Sequence, residues 1–217
     1  MSAATAQAFP EAHRIRTIEI RPRPQVMRNQ AWSGTDQAVD FGPELWWASY
    51  QTAPLSDAQA AAWEVFLDMQ RGGIGTCKAF DARRRFPASY PDGFDGMTIL
   101  GGDPFTGVGE VYTTLPDRVF VQNLPVGMLF KPGDCFSAER LDGRAFFRVA
   151  EANHVNASGR IGLKVTLPVP PDLTINGEGT FDRPWFEAVL DQESVTMSSG
   201  VDQKTTVGFQ VWQRHGR

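Results

Sequence analysis

Long apolar runs, grouped histidines and paired cysteines are all missing from this chain, and each absence removes a class of function. No uninterrupted apolar stretch approaches the ~20 residues that a helix needs to cross a bilayer. The start, MSAATAQAFPEAHRIR, has no charged head followed by an apolar block. The expectation is a soluble protein made in a cytoplasm, with no membrane partner. The 2 cysteines, Cys77 and Cys135, lie far apart with no CxxC spacing, which favours two separate reduced thiols over a disulfide or a metal site. The 3 histidines, His13, His154 and His215, are scattered, with no HxxxH or HExxH pair and no GxSxG elbow. Neither zinc chemistry nor a nucleophile with a histidine base is set up. No catalytic residue, metal ligand or cofactor is expected.

Charge is sparse as well. Charged residues make up 21% of the 217, and the formal net charge is -4 with a pI near 5.4. Such a surface repels a phosphate backbone unless its cations gather on one face. The run Arg83, Arg84, Arg85 and the basic segment with Arg14, Arg16, Arg21 and Arg23 read as solvated or salt-bridged faces. With 25 Asp plus Glu, some pair of carboxylates meets by chance, so a glycosidase-like pair carries no weight from sequence alone. Asp92, Asp95 and Asp103 lack the alternate spacing and later Glu of a calcium loop.

What the chain does have is 41% hydrophobic and 11% aromatic residues, broken by 21 Gly and 15 Pro. Frequent breakers with ample apolar material favour a mainly β fold with one or two helices. RIRTIEIRPRP at 14–24 reads as a half-buried strand with Ile18 and Ile20 inward and Thr17, Glu19 and Arg21 outward, closed by prolines. In QAWSGTDQAVDFGPELWWASYQ, Trp32, Phe41, Trp46, Trp47 and Tyr50 are separated by turns, suggesting a hairpin whose second arm is the Trp46–Tyr50 strand. Neighbouring Trp46 and Trp47 must point to opposite faces, so the outward indole needs a partner, such as another subunit.

The clearest helix, 57–71, opens at Ser56 with the capping-box spacing Ser56 to Gln59 after Pro54. Ala62, Val65, Phe66 and Met69 line its expected core face, widened by Trp63 and Leu67. It stops at Gly72 and Gly73. That order also decides FLDMQRGGIGTCKAF at 66–80. A phosphate loop places its glycines before a helix, where free N–H groups and the positive dipole end lie. Here they follow one, and the Walker spacing fails despite Lys78.

Residues 81–110 form a turn-rich surface passage. Beyond them a second β block begins, with VFVQNL, the hairpin signal Asp142-Gly143, a turn at Ser158-Gly159, and the alternation Ile161, Leu163, Val165, Leu167. These strands suggest a small barrel or sandwich. After LPVPP, the segments FEAVL, SVTMSSG and TTVGFQVWQ read as strands that complete a sheet begun at the N-terminus, which makes the middle block an insertion.

Several stretches together resemble the distal tail protein family of long-tailed bacteriophages, prophages and gene-transfer particles. They are Trp46-Trp47, AAWEVFLDMQRG running into KAFDARRRFP, LFKPGDCFSAERLDGRAFFRV, and GRIGLKVTLPVP. The resemblance covers roughly residues 30–190 and rests on structural patterns. It implies a ring-forming β-sandwich domain, 1–104 together with 171–217, with a flanking helix and an inserted small β-barrel at 105–170. It further implies a structural virion component: a ring, typically of six copies, between the tail tube protein and the tail-tip hub or baseplate, through which DNA passes without specific binding. Trp46, Trp47 and Trp63 are the expected subunit-interface residues. A tail-tip module that binds a host-surface glycan or protein is the alternative. A cell-wall hydrolase rests only on unassigned carboxylates.

Overall fold

The structure is a computed structural model. It describes residues 6–10, 14–30, 36–40, 42, 44–70, 74–200 and 204–214, with backbone alone for 18, 26–30 and 36–40. Trp32, Phe41, His13, His215, Gly72 and Gly73 lie outside the described residues or side chains, and the readings placed on them with them. The fold is mainly β, with one helix among the described residues. In chain order the elements are β1 (Ile15–Arg23), β2 (Val26–Gln30), β3 (Asp36–Asp40), β4 (Leu45–Thr52), α1 (Asp57–Met69), β5 (Cys77–Phe80), β6 (Val108–Leu115) and β7 (Arg118–Gln122). There follow β8 (Leu129–Phe130), β9 (Cys135–Arg140), β10 (Gly143–Arg148), β11 (Asn153–His154), β12 (Ile161–Lys164), β13 (Glu178–Thr180), β14 (Trp185–Ser199) and β15 (Thr205–Gln213).

The first sheet has 5 strands in the order β1-β4-β15-β14-β5, so the chain's early and late strands share it. The Trp46–Tyr50 strand is not the second arm of the preceding hairpin. β2 and β3 pair with each other, while β4 returns to pair antiparallel with β1. In β1 a bulge between Thr17 and Glu19 shifts the phase of the strand. Thr17 is therefore buried, and its Oγ1 accepts the Ala82 N–H at 2.7 Å, where simple alternation had placed it outward.

α1 begins as its sequence demands. The Gln59 side chain accepts the Ser56 N–H at 3.0 Å and completes the capping box. Its last helical residue is Met69, and the buried positions are Ala60, Trp63, Phe66 and Leu67. The core face is thus rotated from the expected one. Ala62 is exposed, and Val65 and Met69 are 58% and 52% exposed. Large rings decide this orientation: Trp63 and Phe66 pack on Phe9, and Trp63 lies 5.4 Å from Phe209 of β15.

The second sheet has 6 strands in the order β10-β9-β13-β6-β7-β12. It curls until its edge strands meet just past their ends. Val149 bridges Val165, Ala150 N–H donates to Lys164 O at 2.8 Å, and Thr166 N–H donates to Arg148 O at 3.0 Å. The tight turn from β9 to β10 is made by Leu141 and Asp142, one residue before the expected Asp142-Gly143 pair, because Gly143 already pairs with Arg140 as the first residue of β10. Gly143 has φ +102, and a Cβ there would run into the Glu187 carboxylate. Inside lie Val111, Val119, Val121, Phe130, Phe136, Phe147, Ile161, Leu163 and Val165. The enclosed core also takes Phe94, Phe105 and Phe181, and β13 inserts between β9 and β6. This unit therefore reaches beyond 105–170 on both sides. The turn-rich passage contributes buried aromatics to it, because a strandless segment can still anchor itself through its rings.

The two sheets meet directly. Phe146 and Cys135 of the second share the first sheet's core, and Phe146 lies 5.0 Å from Trp46.

Candidate functional site

The three tryptophans expected at a subunit interface are all buried within the subunit. Trp46 faces the junction of the sheets and donates its Nε1–H to Phe146 O at 2.7 Å. Trp63 is 0% exposed beneath α1, and its Nε1–H has no hydrogen-bond partner. Trp47 does point to the opposite face from Trp46, yet only 4% of it is exposed. Its partners are internal. The Arg23 guanidinium sits 3.9 Å from its ring centre, Arg21 lies at 5.5 Å, and its Nε1–H reaches Gln210 Oε1 at 3.3 Å. The outward indole therefore finds cations on the adjacent strand β1, a pairing readable only once β1 and β4 are known to be neighbours.

The basic run is locked in ion pairs, as its composition suggested. Arg83 makes a bidentate contact with the buried Asp81 carboxylate at 3.0 Å, and Arg85 pairs with Asp182 at 2.9 Å. Arg84 reaches Asp81 at 4.0 Å and donates to Gly133 O. These hydrogen bonds to carboxylates hold the Arg83 and Arg85 guanidiniums above their ordinary pKa. His154 is exposed. Both thiols are buried and free; burial pushes Cys77 up to about 12 and raises Cys135. A reactive thiolate needs the opposite environment. Among the described residues no three His, Cys, Asp or Glu side chains gather in a way that could hold a metal ion. No described helix is long and apolar enough to cross a membrane.

The surface that remains is backbone. The two edges of the first sheet differ sharply. β1 carries Pro22, Arg16, Arg21 and Arg23 and the bulge, and Arg148 of the second sheet donates to its Ile20 carbonyl at 3.1 Å. These are devices that prevent strand addition. At the other edge, β5 covers β14 only from Trp185 to Ala188, and Gln7 in turn brackets β5 through bonds to Thr76 O and from Lys78 N–H, both 2.8 Å. Past Ala188, β14 has a strand partner on one side alone among the described residues.

The direction of its free groups follows from its neighbour. Met197 faces Val207 and Ser199 faces Thr205. Val207 N–H is taken by Thr52 Oγ1 at 3.0 Å, and Thr205 exchanges hydrogen bonds with Leu55, both on the far side of β15. In an antiparallel pair, residues that turn their backbone away from each other do so together. Met197 and Ser199 therefore present N–H and C=O to the open edge. The segment SVTMSS there holds no proline and no charge.

No protein-family model matches this chain, and no curated protein sequence does. On the helix-free face of the first sheet, Thr196, Ser198, Thr206 and Gly208 make the part next to the open edge polar and uncharged, while Arg16, Glu19 and Asp191 stand on the same face beside Gln51, Ser49 and Gln210. A Cβ on Gly208 would sit 2.7 Å from Thr196 Oγ1.

Proposed function

We propose that this chain is a non-enzymatic structural component of a phage-type tail: a distal tail protein whose copies form a ring, six in the family that it resembles. The ring joins the tail tube to the tail-tip hub or baseplate and leaves a passage for DNA. The observation that carries this reading is the unguarded edge of β14. An edge strand that offers a row of unpaired donors and acceptors is a template for another chain. A protein that guards β1 with a proline, arginines and a bulge, and leaves β14 open, supports assembly through that one edge. Localisation in the virion, at the tail tip, belongs to the same proposal.

The test uses Met197→Pro. Proline removes an N–H that points outward and leaves the β14–β15 ladder intact, the position at which a strand tolerates it. Native mass spectrometry and negative-stain imaging of the full chain are expected to show rings with a central hole. The variant is expected to remain folded and monomeric. A wild-type chain that stays monomeric at high concentration, or rings unchanged by Met197→Pro, overturns the reading.

A further inference from the structure

We propose that the cleft between the two sheets is a docking groove for an extended, basic segment of a partner protein, one that sets an apolar side chain beside a lysine or arginine. The cleft holds about 410 Å3. Leu45, Phe146, Leu167 and the Pro168–Pro171 segment supply its apolar lining. At its rim Leu141, on the tip of the β9–β10 hairpin, is 86% exposed. The backbone there is tied, since the Leu141 N–H donates to Asp172 O at 3.2 Å. Leu141 thus extends the apolar lining of the cleft out to its rim, and a contiguous exposed apolar patch is the kind of surface that marks a protein contact.

Charge selects the occupant. The one cation of the lining, Arg140, is neutralised by a bidentate pair with Asp172, closest at 2.8 Å. Glu44 and Asp142 also line the cleft, and neither has an ion-pair partner among the described residues. The rim is thus net negative over an apolar floor. A segment bearing Lys or Arg gains from it, and one bearing Asp or Glu is repelled. Proline supplies no N–H, so Pro168, Pro170 and Pro171 cannot extend a hydrogen-bonded ladder to the incoming chain. Recognition there runs through side chains, with the apolar residue in the cleft and the cation on the rim. Isolated subunits suffice for it, so it stands independently of the ring.

The experiment probes an array of short synthetic peptides of systematically varied sequence with the full, labelled chain at low and high salt. Retained peptides are expected to share a Leu, Ile or Pro next to Lys or Arg and to lose binding as salt rises. Leu141→Asp should weaken retention about tenfold, the loss of one anchor side chain. Glu44→Lys with Asp142→Lys should switch the preference to acidic peptides. All three positions are on the rim, and circular dichroism with a urea midpoint checks that the variants fold. Retention of no peptide, retention without regard to charge, or variants that bind like the wild type overturns the proposal. So does self-association of the chain that Leu141→Asp abolishes, which would make the occupant a second copy.

Discussion

Trp46 and Trp63 lie in the same core, yet replacing each by phenylalanine should have different consequences. Both substitutions delete the same atoms, so both lose about 1–2 kcal/mol of transfer and packing energy. The polar atom separates them. Trp46 Nε1–H donates to Phe146 O at 2.7 Å, so Trp46→Phe leaves a buried carbonyl without that donor and costs about 1–3 kcal/mol more. Trp63 Nε1–H is buried with no partner, so Trp63→Phe relieves a desolvation cost of about the same size. Trp63→Phe should be neutral within about 1 kcal/mol and Trp46→Phe destabilising by about 2–5 kcal/mol. Urea unfolding followed by far-UV circular dichroism reads this directly. With a slope on the order of 2–3 kcal/mol per molar, the two midpoints should differ by about 1 M. Equal losses, or a larger loss at Trp63, would refute the assignment of these two indoles. Because both report on one core, domain-wise unfolding cannot produce the gap.

Two further outcomes follow from burial. Phe66→Ala should cost about 3–5 kcal/mol, while Val65→Ser and Met69→Gln, on the exposed side of α1, should stay within about 0.5 kcal/mol; thermal or urea denaturation of the three separates the observed helix phase from the one rotated onto Val65 and Met69. Cys77, raised from 9.0 to about 12 by burial, stays protonated in the folded chain while the unfolded chain loses that proton as pH passes about 9. The folded state then holds more protons, so this contribution to stability is intact below about pH 9 and falls by up to about 1.4 kcal/mol per unit toward pH 12. Urea midpoints across this range should fall less steeply in Cys77→Ala, and a thiol reagent at neutral pH should label Cys77 only after unfolding.

Sequence patterns were most legible where one local rule acts alone. The capping box at Ser56 and Gln59 and the alternation of Ile161, Leu163 and Val165 depend on neighbours a few residues away and appear in place, and the hairpin signalled by Asp142-Gly143 is present with its turn one residue earlier. The misreadings share a different cause. Val65 and Met69 satisfied the helical period as well as Trp63 and Leu67 did, and only the rings of Phe9 and Phe209, distant in sequence, select the face. The resemblance places Trp46, Trp47 and Trp63 at a subunit interface, and each is instead enclosed by its own chain. The open edge of β14 was invisible for the same reason. A strand becomes an edge only through what fails to pair with it, and SVTMSS reads identically in the middle of a sheet.

An open edge does not by itself make a ring. Antiparallel pairing of one β14 edge with the same edge of a second copy satisfies both rows of donors and acceptors around a two-fold axis, and growth then stops at a dimer. A ring requires β14 to meet a different surface on the next copy, so that each subunit keeps one free donor surface and one free acceptor surface until the circle closes. β1, guarded by Pro22, its arginines, its bulge and Arg148, is a poor complement for full strand addition. The ring reading therefore demands a partner surface away from β1. A ring and a two-fold dimer differ in stoichiometry and also in their response to mixing. If Met197→Pro subunits are added to wild type, a two-fold contact is lost whenever either member carries proline. A head-to-tail contact is lost only where proline sits on the β14 side, so a variant subunit still accepts a wild-type neighbour on its other face and caps a growing arc. Short capped arcs in the mixture would support the head-to-tail arrangement; wild-type dimers beside inert variant monomers would refute the ring.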